Sequence, residues 1–292
     1  MIRKIRVRAH VVGEWEKFAI KWEAASHVGW PAPFELTWPS SKLLRFLSAL
    51  RSAGGRANVE IVDFEFNEEL LSRSKWFELK GKQVHVSDAD AEWRFQESRR
   101  LAVENPTDPA PIKIFRNMVL SRVKGAEAGA RFIAGQFDLF LPHRVTLAAL
   151  RQGLKGFVAH PLCNHRGKIN DVVDFWEISS LLPPLAESPL SDRFVDDEGV
   201  RCFCPERLMA FRAEDFEREA LDFNRTRESC GGFHTSRIVV TSMAREFFAR
   251  NAVEGLSWRP VFNVGSRDFD DTCGIWSRFK TEIGVEDIVE FL

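Results

Sequence analysis

Arg237-Ile-Val-Val-Thr241-Ser-Met-Ala-Arg-Glu-Phe-Phe-Ala-Arg-Asn251-Ala-Val-Glu-Gly-Leu256-Ser-Trp-Arg-Pro-Val261 holds one complete sentence of the fold's grammar. The β-branched run up to Thr241 predicts a strand. Ser242 is placed to cap a helix, because its hydroxyl can accept from the free N–H groups of the first turn. Met243, Phe247 and Phe248 then fall on that helix, Asn251 ends it, and Leu256 to Val261 is extended again. The same order occurs at Phe34-Glu-Leu-Thr-Trp38. There Ser40 or Ser41 is the cap, Leu43, Leu44, Leu47 and Leu50 recur at helical spacing, Gly54-Gly55 is the stop, and Val59 to Phe66 is the second strand. It occurs a third time with Gln136–Leu141 as strand, Pro142–Leu150 as helix, Gly153 as stop and Gly156–Ala159 as strand. The distances between the three are uneven, which excludes a solenoid of fixed period. The expectation is an α+β fold with mixed sheets and short helices, built from recurring strand-helix-strand units.

Ile5, Val7, Ala9 and Val11 alternate with Lys4, Arg6, Arg8 and His10, the period of a half-buried strand with a basic outer face. Val172 to Ile178 reads as a further strand, and Glu214 to Leu221 is compatible with a charged helix. Asn105-Pro-Thr-Asp-Pro-Ala-Pro111 places three prolines in seven residues and is the expected boundary between an N-terminal region, 1–104, and a C-terminal region, 112–292. Leu182 to Pro189 is a second proline-rich loop.

The 292 residues include 45% hydrophobic and 28% charged side chains, enough to build a core without a polar tract that would stay disordered. Net charge is −1, which argues against a generic nucleic-acid binder, since such proteins carry a basic excess. No run of 18 apolar residues predicts a membrane span, and the first residues lack the apolar stretch of a secretion signal, so the expected location is the cytoplasm. Five cysteines, an odd number, speak against a disulfide framework. The absence of tyrosine removes that side chain as a catalytic acid.

Residues with chemistry to offer do not match an established catalytic pattern. Among Cys202, Cys204, His160, Cys163, His165, Cys230 and His234, no C-x2-C pair recurs as a structural zinc site requires. Cys202, Cys204, His160 and Cys163 remain the alternative metal set. His160-Pro-Leu-Cys-Asn-His165 faintly resembles a nuclease metal motif, yet the residues that follow lead to a strand where that motif needs a helix. No nucleophile elbow, phosphate loop or dinucleotide fingerprint is present. No cofactor is expected. Asp222-Phe-Asn224-Arg225-Thr-Arg-Glu228-Ser-Cys-Gly231-Gly232 is dense in groups that bond main chain, and is expected to form a structural turn locked by Arg225 or Arg227 with Glu228.

Four stretches together resemble bacterial immunity proteins of the double-CxxCG type and their relatives in polymorphic-toxin loci. They are Leu147–Val158, Asp222–Glu228 with Gly231-Gly232, Arg237–Ser242 and Gly255–Val261. Cys202-Phe-Cys204 has one residue between its cysteines, so neither CxxCG motif is intact. The resemblance implies a protein that binds a cognate toxin in the producing cell, and it names no catalytic residue. A basic toxin would meet acidic surface, for which the candidates are Asp63, Glu65, Glu68 and Glu69, then Asp196, Asp197 and Glu198, and the acidic tail. The competing readings are a metal-dependent hydrolase or nuclease using His160 and His165, and an adaptor with a partner other than a toxin.

Overall fold

The computed structural model describes residues 1–12, 34–83, 130–131, 139–163, 169–178, 180–191, 193–195, 201–203, 208–230 and 236–284. Its strands are β1 (Ile2–Val12), β2 (Phe34–Trp38), β3 (Arg56–Phe66), β4 (Trp76–Gln83), β5 (Ala130–Arg131), β6 (Leu139–Pro142), β7 (Phe157–Cys163), β8 (Ile169–Ile178), β9 (Arg193–Val195), β10 (Arg201–Phe203), β11 (Ala210–Phe211), β12 (Phe223–Arg225), β13 (Ser229–Cys230), β14 (Ile238–Thr241), β15 (Leu256–Pro260) and β16 (Phe262–Asn263). Its helices are α1 (Ser41–Ser52), α2 (Glu68–Arg73), α3 (His143–Gln152), α4 (Ala213–Glu219), α5 (Ser242–Arg250) and α6 (Arg267–Ile283). The fold is α+β, with several sheets and short helices. No helix among the described residues is long and apolar enough to cross a membrane.

Two compact units divide the chain: residues 1–73 with 265–292, and residues 74–264. The proline-rich segment 105–111 lies outside the described residues, and the units are drawn elsewhere because α6 packs with the first strands.

In the first unit β1 is the centre of an antiparallel sheet ordered β2-β1-β3. Helix α1 joins β2 to β3, so the strand-helix-strand run straddles a third strand. Ser40 caps α1 by accepting from the Leu43 N–H at 3.2 Å. Leu43, Phe46, Leu47 and Leu50 form its buried face. Phe46 rather than Leu44 completes the stripe, since i, i+3, i+4, i+7 lie on one side of a helix. Ile5, Val7 and Ala9 are fully buried on the same side of the sheet. Helix α6 adds Phe269, Trp276, Phe279 and Ile283. Trp276 lies 6.2 Å from Phe64 and 5.3 Å from Phe279, and Phe279 meets Trp38 edge-on at 5.5 Å. Fully burying side chains of this size contributes roughly 1.5–3 kcal/mol each, so this apolar side holds the unit together.

The second unit repeats the arrangement twice. Strand β8 lies between β6 and β7, which α3 connects, and β4 lies between β14 and β15, which α5 connects. All three strand-helix-strand runs therefore enclose an antiparallel strand from elsewhere in the chain. Strands β12, β14, β4, β5, β6, β8 and β7 follow one another in one sheet, with β15 also on β4. Small sheets β13-β10-β9 and β11-β16 stand apart from it. Thr241, one residue before the expected cap, accepts from the Ala244 N–H at 3.1 Å, and Ser242 begins the helix. Gly153 ends α3 at φ 75°, a left-handed position that glycine adopts without a Cβ clash.

On the helix side of this sheet the rings of Phe157 and Trp176 stack at 3.9 Å, and Phe223 meets Trp176 edge-on at 5.3 Å. Phe248 from α5 joins at 5.8 Å from Phe223. The Trp176 indole N–H donates to Thr146 Oγ1 at 2.8 Å, so both buried polar groups find a partner. A second layer of Leu182, Leu185, Met209, Phe211 and Phe216 packs on Val239. Strand β14 is thus buried on both faces, which is why it reads as a continuous Ile-Val-Val run.

Candidate functional site

The side of the β2-β1-β3 sheet away from its helices carries Lys4, Arg6, Arg8 and His10 from β1. The register sets Arg6 opposite Thr37 and Arg8 opposite Glu35 on one flank, and Lys4, Arg6 and Arg8 opposite Glu65, Asp63 and Glu60 on the other. A bulge makes this match. The register shifts between Arg6 and Val7, so Val62 is an extra residue in β3. Strict alternation from buried Val59 and Ile61 would send Asp63 and Glu65 inward; the extra residue returns both to the outer face and Phe64 to the core.

Each cation meets a carboxylate. Arg6 donates to Asp63 at 2.9 Å, Arg8 to Glu35 at 3.0 Å and to Glu60 at 3.3 Å, and Lys4 lies 3.5 Å from Glu65. His10 Nε2 lies 3.4 Å from Glu60. The Arg8 guanidinium is held above its ordinary pKa, first by the hydrogen bond to Glu35, against desolvation and with further help from Glu60. Exposed pairs contribute about 0.2–1 kcal/mol each, so the ladder adds little to stability. Its effect is to hold long charged side chains in fixed positions on an exposed face.

Of the acidic candidates, Asp63 and Glu65 therefore stand within a neutralising lattice and do not form an acidic patch. Glu68 is exposed at the start of α2. Glu69 pairs with Arg73 at 2.6 Å, and Arg73 also donates to Asp268 on α6. Asp196, Asp197 and Glu198 lie outside the described residues, as do the tail acids beyond residue 284. Glu35 and Glu60 were not singled out from the sequence, though the basic stripe of β1 was the signal that some flanking acid must answer it.

The Asp222–Glu228 stretch has a different character. Asp222 accepts from the Lys155 N–H at 2.9 Å and from the Thr241 hydroxyl at 3.1 Å, tying the start of β7 to the end of β14. Asn224 is fully buried; its side chain accepts from the Leu221 N–H at 2.8 Å and from the Ser180 hydroxyl at 2.9 Å, and donates to the Leu221 and Val239 carbonyls at 2.6 and 3.3 Å. Arg225 donates to the Ile178 carbonyl at 2.7 Å and Arg227 to the Leu182 carbonyl at 2.9 Å, while Glu228 accepts from the Leu185 N–H at 2.8 Å. These bonds stitch Arg225, Arg227 and Glu228 to Ile178, Leu182 and Leu185. Gly231 and Gly232 lie outside the described residues. Gly156, at φ 98°, lets the chain pass so close to Phe223 that a Cβ would sit 2.0 Å from its carbonyl oxygen. Residues of all four stretches that carry the resemblance thus lie in the second unit, three of them bonded through Asp222 and Asn224.

The alternative metal set is divided between sheets. His160 is on β7, with Nε2 2.8 Å from Glu177 Oε2, and Cys163 ends the same strand. Cys202 is on β10, opposite Ser229 of β13. Cys204 and His165 lie outside the described residues. Among the described residues no three His, Cys, Asp or Glu side chains are grouped to hold a metal ion. A second imidazole–carboxylate pair, His143 Nδ1 with the buried Asp174 at 2.9 Å, escaped the sequence reading because 31 residues separate the partners.

No protein-family model matches the chain, and no curated protein matches it.

Proposed function

We propose that the chain is an immunity-type inhibitor: it binds a cognate bacterial toxin in the cytoplasm of the producing cell and neutralises it by stoichiometric protein–protein contact. The observation that carries this reading is the exposed sheet face of β2-β1-β3, where charged side chains are fixed before any partner arrives. Ordering long side chains on binding costs about 0.5–1.5 kcal/mol apiece. A face that has already ordered them keeps more of its contact energy. At about 3.4 Å per residue and 4.8 Å per strand, two strands of 11 residues and one of 5 offer roughly 440 Å². A standard complex takes about 800 Å² from each partner, so the face supplies the larger part and its surroundings the rest. The four stretches of resemblance, packed together in the second unit, support the same assignment.

The test is co-expression with the product of the gene directly beside this one, the place where the toxin of an immunity protein is expected. The wild-type chain is expected to protect the cell and to co-purify with the toxin in fixed ratio. Reversing Asp63 and Glu65 together to Lys replaces two anions of the face by cations and is expected to weaken binding at least tenfold, about 1.4 kcal/mol, with circular dichroism unchanged. Full protection and unchanged affinity after that reversal refute docking through this face. Absence of any complex refutes the inhibitor reading itself.

A further inference from the structure

We draw no further inference here: the strongest candidate, the His143–Asp174 pair at the start of α3, carries nothing, because nothing among the described residues shows what it would act on.

Discussion

The sheets around β1 and around β4 begin from the same device, a strand-helix-strand run closed over an inserted antiparallel strand, and they treat the second face in opposite ways. Around β1 the second face stays exposed, and its charges meet at 2.9–3.5 Å in a solvated ladder. Around β4 the second face lies under the Leu182–Phe216 layer. Glu78 is buried there on β4, 3.6 Å from Arg237 and 3.9 Å from Arg259, both buried too. Similar charged pairs therefore do different things. In water they arrange a surface at little energetic cost or gain. Under a second layer each charge has lost its hydration, and its partner becomes obligatory.

Five substitutions sharpen or break this contrast. The largest effect is expected at Gly156, where Gly156→Val combines a 2.0 Å clash with main chain and a left-handed φ. The second unit should lose several kcal/mol, on the order of 4 or more, and yield little folded protein. Gly153→Ala is the control: φ is also positive, but the space is open, so about 1–2 kcal/mol is expected in urea denaturation. Comparable losses at both glycines contradict the close approach to Phe223.

Next comes Glu78→Gln. Removing the carboxylate leaves cations buried beside it, and about 3–5 kcal/mol should be lost in equilibrium unfolding. A loss under 1 kcal/mol means that water reaches this face and the contrast with β1 fails.

Asp63→Asn removes one charge of the ladder while keeping an oxygen for the Phe64 N–H, which Asp63 accepts at 2.8 Å. Less than about 1 kcal/mol is expected, shrinking further in 0.5 M salt as the charges are screened. A larger, salt-independent loss shows that the face is not solvated.

The smallest effect concerns pH. The Glu282 carboxyl is held below its ordinary value of 4.5 by hydrogen bonds from Arg278 and Trp38. The folded state has the lower pKa, so this contribution is present above the unfolded carboxyl's range and disappears as pH falls through the folded value. In Glu282→Gln the thermal midpoint should decline less steeply below pH 4.5 than in the wild type. Parallel acid limbs in the two proteins contradict the assignment.

Local chemistry was legible wherever neighbours along the chain supply it. The alternation of β1, the Ser40 cap, the Gly153 stop and the Ile238–Thr241 strand all follow from residues within a few positions of one another. The bulge at Val62 was not legible, because it exists to align β3 with β1. The run from Arg267 to Ile283 was passed over as a helix, although Ser266 caps it by accepting from the Phe269 N–H and its apolar side is regular. Glu78, on a strand the sequence does not announce, and Arg259, within the extended stretch 256–261, carry no local mark of burial, since alternation records which side a residue takes and not whether that side is later sealed. The Asp222–Glu228 stretch read as a self-contained turn; its hydrogen bonds reach residues 178–185 because buried main-chain groups must find partners wherever packing brings them.

The amino-acid order alone determined the three strand-helix-strand runs, since caps, stops and periodicity are short-range. Only the tertiary structure decided which strand each run encloses, which sheet face stays wet and which charges must be paired. Those outcomes depend on desolvation and on contacts between segments far apart in the chain, and no local pattern encodes them.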